Sequence, residues 1–290
     1  MNTVELFQPS GVNASISIPA EWNEVDQEEL LHIAENMLWP YVKPEYFFSA
    51  VFFFLLQHRA KLQGIQLPAS FANMLNAEDI AMHQGEALEW IRKDNTLTDQ
   101  IIKSIHVGGS SPTLYGPAGQ FNDLSCGEFE DCEVFSHLYN QEKKDDHLLM
   151  ITAILYRPGY GNWRLSYIFT SWDKVPQELR HLYKEEDDMV IYNAEAAKAL
   201  FQGVPAQYLL ATYLWYTSCR AQLAHVFPHV FGGGGKGEPD IAAFTKCIHA
   251  GAGPKNGTRD KIRRSLLKAF LMDMEQDAIY AEELNSKTKP

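Results

Sequence analysis

Pro205-Ala206-Gln207-Tyr208-Leu209-Leu210-Ala211-Thr212-Tyr213-Leu214-Trp215-Tyr216-Thr217-Ser218-Cys219 decides the fold class. It carries no charge on any face and opens with proline, which is pre-organised for the first turn of a helix and loses no hydrogen bond there. A helix apolar all round belongs inside a packed body of other elements. The stretch is part of a run of 21 uncharged residues, 199–219, long enough to suggest a membrane span. Gly203, Val204 and Pro205 divide that run and leave about 15 residues in the second piece, short of the ~20 that a span needs. The reading is therefore a core helix from Pro205 to about Phe227.

Working outward, the same grammar recurs. Pro44 opens a helix through Tyr46, Phe47, Phe48, Phe52, Phe53 and Phe54, aromatic on so many faces that a central position is expected. Asp26 with Glu29, and Ser125 with Glu128, are capping boxes that start two more helices. Asn193 caps a short helix before Gly203, and Thr258 caps a final one from Arg259 to about Leu284 with Ile262, Leu266, Phe270 and Met274 on its apolar stripe. Strand signals are sparse: Val4-Glu5-Leu6-Phe7 and Ser15-Ile16-Ser17-Ile18 near the N-terminus, and the alternation over 163–169. The fold expected is mainly α, a multi-helix, bundle-like body with a few short β-strands.

The chain has 290 residues, 46% of them hydrophobic and 21% charged, a globular composition that needs no metal or disulfide to fold. Four cysteines without C-x-x-C spacing read as reduced and packed. Neither a secretory leader nor a membrane span is expected, so the location expected is cytoplasmic, or virion-associated.

Gly232-Gly233-Gly234-Gly235-Lys236-Gly237 punctuates the helical pattern. A phosphate-binding loop would follow a strand and end in Lys-Ser/Thr; here a helix precedes it, and Gly237-Glu238 follows the lysine. The tract is expected to be a hinge at Gly232, Gly233, Gly234, Gly235 and Gly237, joining a body of residues 1–231 to a C-terminal helical unit of 238–290. Around it lie Cys219, His225, His229, Cys247 and His249, a donor set of zinc type and the basis of an alternative reading as a metal-dependent enzyme or metal-stabilised regulator. Pro228 interrupts the His225–His229 spacing, and no cofactor is expected. Cys126, in the first turn of a helix, is crowded by Glu128, Glu130 and Asp131, which oppose a thiolate.

The strongest signal is electrostatic. Lys255, Arg259, Lys261, Arg263, Arg264 and Lys268 stand against Asp260 alone, a segment of net +5 in a protein of net −12. In one continuous helix these cations would occupy the N-terminal half, where the helix dipole disfavours them. They are expected to dock on acidic groups of the same molecule, of a protein partner or of a second copy. The acidic balance argues against nucleic acid.

Ile18-Pro19-Ala20-Glu21-Trp22-Asn23-Glu24, Leu114-Tyr115-Gly116-Pro117, Cys126-Gly127-Glu128-Phe129 and Ala153-Ile154-Leu155-Tyr156-Arg157-Pro158 together resemble bacterial prophage proteins of the tail and virion-assembly type. The resemblance runs in short patches over roughly residues 15 to 250. It implies a non-enzymatic role in protein–protein contact, as an assembly factor or virion component, and brings no catalytic residue with it.

Overall fold

The computed structural model describes residues 1–7, 13–38, 43–67, 85–107, 112–160, 163–186, 189–231 and 243–288. The glycine tract and its hinge reading lie outside them. The fold is mainly α, with short antiparallel strands in small sheets. Among the described residues no helix is long and apolar enough to cross a membrane.

Two compact units divide the chain, Met1–Leu97 with Ala206–Leu214, and Thr98–Pro205 with Trp215–Pro290. This differs from the expected division into 1–231 and 238–290. The C-terminal residues group with the middle of the chain, because their cations and backbone bond to it, as described below.

In the first unit, β1 (Asn2–Phe7) and β2 (Asn13–Ile18) form an antiparallel hairpin with Val4 opposite Ile16. Val4, Ile16 and Ile18 are buried, the period-two pattern of a strand with one face in a core. Pro19 follows directly, and the strand stops. The Gln63 side chain, just past α2 (Pro44–Leu62), donates to the Ser17 carbonyl at 2.9 Å and accepts from its amide at 3.2 Å, continuing the ladder where β2 would be an open edge.

The Asp26–Glu29 box starts α1 (Gln27–Met37) as its spacing predicts. Glu29 is fully buried and takes the Arg59 guanidinium in a two-pronged contact, at 2.5 Å to each oxygen, which ties α1 to α2. α2 buries one face through Val51, Phe52, Leu55, Leu56 and Ala60. Contrary to expectation, its remaining aromatics are not all enclosed: Tyr46 is exposed, Phe54 stacks between His32 and His58, and Phe48 lies under the Arg92 guanidinium of α3 (Glu89–Arg92). The sequence also predicts a helix over 77–91, and residues 77–84 of it lie outside the described residues.

In the second unit, β3 (Ser104–Ile105), β4 (Leu114–Tyr115), β5 (Arg157–Tyr160) and β6 (Trp163–Arg164) make one antiparallel sheet. The Ser125–Glu128 box opens α4 (Cys126–Glu142), left-handed Lys143 ends it, and α5 (Asp145–Leu155) returns against it. A second sheet has the order β7 (Ile168–Phe169), β9 (Met189–Tyr192), β8 (Tyr183–Glu186). The expected strand over 163–169 is thus two strands in two sheets. The chain leaves the first sheet at Leu165, whose amide donates to the Pro158 carbonyl, and joins the second at Ile168.

Asn193 caps α6 (Ala194–Ala197), and Pro205 precedes α7 (Ala206–Val226), which supplies residues to both units. α7 ends one residue before Phe227, which sits outside the α region at φ −121° and ψ 63° because Pro228 follows it. In the second unit the aromatic rings of Phe121, Phe129, Trp215, Tyr216 and Phe244 form a continuous buried cluster. α8 (Ala243–Gly251), α9 (Arg259–Arg264) and α10 (Leu267–Thr288) complete the chain.

Candidate functional site

The expected single C-terminal helix is two. Ser265 is extended, and its carbonyl accepts the Cys126 amide at 3.0 Å. The Leu267 amide in turn donates to the Leu124 carbonyl at 2.8 Å, so Ser125 and Leu266 form an isolated antiparallel bridge. These bonds satisfy the backbone that a continuous helix would have satisfied internally. The break also reverses the dipole argument: Lys261, Arg263 and Arg264 now occupy the last turn of α9, where the helix dipole favours cations.

Most of the basic segment then meets partners within its own unit. Arg263 bonds Glu130 closely and Asp131 at 3.2 Å, and Arg259 reaches Glu130 at 3.3 Å. Lys255 pairs with Asp277 at 2.8 Å, and Lys268 donates to Asn122 at 2.8 Å. Lys261 and Arg264 are exposed and form no ion pair among the described residues. Glu130 is buried and also accepts from the Thr245 hydroxyl at 2.8 Å, so α4, α8 and α9 converge on one carboxylate.

Beside this junction lies a cavity of about 360 Å³, walled by α4, α5, β8, β9, the start of α6 and α9. Tyr167, just before β7, donates its hydroxyl to Asp131 across the cavity lining. Burial pushes the Asp131 carboxyl up to about 6; the Tyr167 hydroxyl opposes the shift, while Glu128 and Glu186 add to it. Tyr192 is also on the lining, and its hydroxyl is buried without a hydrogen-bond partner among the described residues.

Behind the cavity is a second charge network. Glu128 is buried; its Oε1 holds both Arg157 and Arg164 at 2.6 Å, while its Oε2 accepts from the Ser125 amide and hydroxyl. Arg164 also binds Asp123 at 3.1 Å and the Leu155 carbonyl at 3.0 Å. One residue therefore caps a helix and pairs with two buried guanidiniums, of which Arg164 also has Asp123.

The five Cys and His positions near the glycine tract are not gathered. Cys219 is buried and donates to the Thr98 carbonyl at 3.6 Å. His229 lies past the end of α7, out of helical register with His225, and its ring bonds Glu275. Glu275 also accepts the His229 and Val230 amides, so the partnership serves the turn after α7 rather than a metal. His225 and His249 are exposed, and Cys247 is half-buried.

Among the described residues the grouping within ligand reach is Asp26, Glu29 and His58. There Arg59 already neutralises Glu29, and Asp26 caps α1 while binding His58 at 2.6 Å. An ion-pair network accounts for all three without a metal.

Burial pushes the thiols of Cys126 and Cys219 up to about 12 and that of Cys132 well above its usual range. Thiolate is the reactive form, so these three resist alkylation. Iodoacetamide applied to the native protein near pH ~8 is expected to modify Cys247 first, read as one adduct by intact mass spectrometry and located by peptide mapping. Early modification of Cys126 would contradict the packing described.

Comparison with family models, with curated proteins and with solved structures returns no match. The cavity was not legible beforehand, since its walls come from residues more than 100 positions apart. One signal was present: Met189-Val190-Ile191-Tyr192 is a short apolar run rich in strand formers, bounded by acidic and capping residues.

Proposed function

We propose that this protein is non-enzymatic and acts by protein–protein contact, with the exposed side of α10 as the contact surface and a second copy of the chain as its occupant. The observation that carries the reading is a displaced apolar row. Leu267, Phe270 and Leu271 bury one face of α10, while Met272, Ile279 and Tyr280 on the other side are 54, 41 and 64% exposed. Helical spacing places Met272 and Ile279 in line, two turns apart. Large apolar side chains grouped on one exposed helix side mark a contact surface more often than a solvated one.

Charge supports a second copy as the occupant. Lys261 and Arg264 precede this surface, and Asp273 and Glu283 lie along it. An antiparallel, twofold pairing sets the cations of one copy against the carboxylates of the other, twice over. Without such local complementarity, a net charge of −12 would keep copies apart. A role as an assembly factor or virion component agrees with the prophage resemblance.

Light scattering on the size-exclusion peak tests this. The full chain is expected to elute as a dimer at roughly 100 µM, a concentration that populates even micromolar association. The double substitution Ile279→Arg, Tyr280→Ser is expected to give a monomer with unchanged circular dichroism. A wild-type chain monomeric at that concentration would sink the proposal.

A further inference from the structure

We propose that His229 is a pH-sensitive latch that fastens the turn after α7 to α10, closed while its ring is a cation and open once the ring is neutral. The inference does not depend on α10 pairing with a second copy.

The turn is fastened through one carboxylate. α7 ends at Val226 and Phe227 leaves the α region ahead of Pro228, so His229 and Val230 lie outside the helix. Their amides both donate to Glu275 Oε2 at 3.1 Å. Glu275 is buried, and a buried carboxylate is tolerated only when such donors meet it. Along α10 it is the last buried position among the described residues, and those from Ile279 onward are exposed. Beyond it the helix is joined to its own unit by an exposed pair, Lys255 with Asp277, and by Glu282 with His229.

The ring supplies the pH dependence. Its Nδ1 bonds Glu275 Oε1 and its Nε2 stands 3.6 Å from Glu282 Oε2, so each ring nitrogen faces a carboxylate. A neutral imidazole has one N–H and one lone pair, and the lone pair would meet one of these carboxylates, whereas the imidazolium presents an N–H to both. The geometry therefore selects the cation. Glu275 and Glu282 are the charges acting on the ring among the described residues. From α8 the Cys247 thiol reaches the Val230 carbonyl at 3.9 Å, and burial raises it, which favours the neutral form. Lys246 and His249 on α8 and His225 on α7 are exposed.

The direction of the switch follows. The hydrogen bond to Glu275 raises His229 above its ordinary value, against a cost of burial and with Glu282 adding to the rise. Burial would raise Glu275, yet the His229 ring and the two amides hold it below its ordinary value. A group raised on folding contributes fully below its unfolded value, ~6.5 for histidine, and loses that contribution as pH rises through the folded value. A group lowered on folding loses its contribution as pH falls instead. The latch is thus closed from above the carboxylate range up to the raised His229 value.

Hydrogen exchange of the full chain, read on a peptide containing residues 227–231 and corrected for intrinsic rates, tests this from about pH 5.5 to about pH 9. Wild-type protection is expected to hold at the acid end and to fall roughly fivefold as pH rises, the order expected when a charge-assisted bond loses one of its charges. His229→Gln keeps a side-chain donor without the cation, and is expected to show the lower protection throughout, with no fall. Glu282→Gln changes a site 72% exposed and leaves Glu275 in place, so the fall is expected to persist but to move to lower pH. A flat wild-type profile, the same fall in His229→Gln, or an unmoved fall in Glu282→Gln would each overturn the proposal.

Discussion

Replacing Glu128 with alanine is expected to destabilise the second unit by roughly 3–5 kcal/mol, the cost of removing one partner from a buried ion pair. The reason is geometric. Arg157 and Arg164 are both nearly inaccessible and share Glu128 Oε1 at 2.6 Å, so its loss leaves two guanidiniums facing each other in the interior. Arg164 keeps Asp123, but Arg157 keeps no carboxylate. The same substitution removes the acceptor that Oε2 gives to the Ser125 amide and hydroxyl, and with it half of the α4 capping box.

Chemical denaturation followed by tryptophan fluorescence measures the loss; one below about 1 kcal/mol would show that water reaches the network. Arg157→Met is the informative contrast. Arg157 carries Nε and Nη1 buried without partners, so removing it also removes an unmet cost, and Glu128 still holds Arg164. Its loss should be clearly smaller than that of Glu128→Ala.

Trp215→Ala is expected to cost about 3–5 kcal/mol, the range for deleting a fully buried aromatic side chain. Trp215 packs edge-on against Phe121 at 5.1 Å between centroids, and Phe121 in turn touches Phe129 and Tyr216. The indole also donates to the Thr98 carbonyl at 3.1 Å. That carbonyl accepts the Gln120 amide at 2.9 Å as well, so losing the indole donor does not orphan it. Packing therefore dominates, and Trp215→Phe should lose about 1 kcal/mol beyond its smaller volume. Thermal or denaturant midpoints of the two variants decide this. Similar losses in both would show that the hydrogen bond, not the ring cluster, holds α7 in place.

The parts of the fold that were legible in the sequence are those whose causes are local. Asp26 with Glu29, and Ser125 with Glu128, start helices because side chain and backbone within four residues satisfy each other. Pro205 opens α7, and Pro228 ends it, by constraints on single residues. Strand β2 followed from alternation of Ile16 and Ile18 with serines, while its pairing with β1 came from the tertiary structure. The strand over 163–169 did not survive, because alternation specifies an extended chain but not which sheet receives it.

The candidate site was legible as charge and not as geometry. Composition picks out residues 255–268 as basic and leaves open what they face. Nothing local marks Ser265 as a helix break, since neither glycine nor proline stands there. The break exists because Cys126 and Leu124 offer backbone partners from far along the chain. Asp131, Tyr167, Tyr192 and Glu195 carry no shared spacing, and no sequence pattern joins them.

By itself, then, the sequence determined that the chain is mainly α, where several of its helices begin, and that a basic segment sits in an acidic protein. Each follows from interactions spanning a few residues or from composition. Only the tertiary structure decided that the C-terminal helix is two, that α9 presents its cations to Glu130 and Asp131, and that a cavity forms beside them. Those outcomes depend on hydrogen bonds and ion pairs between distant residues, such as Cys126 and Ser265, 139 apart in the chain, and a one-dimensional pattern carries no information about such closures.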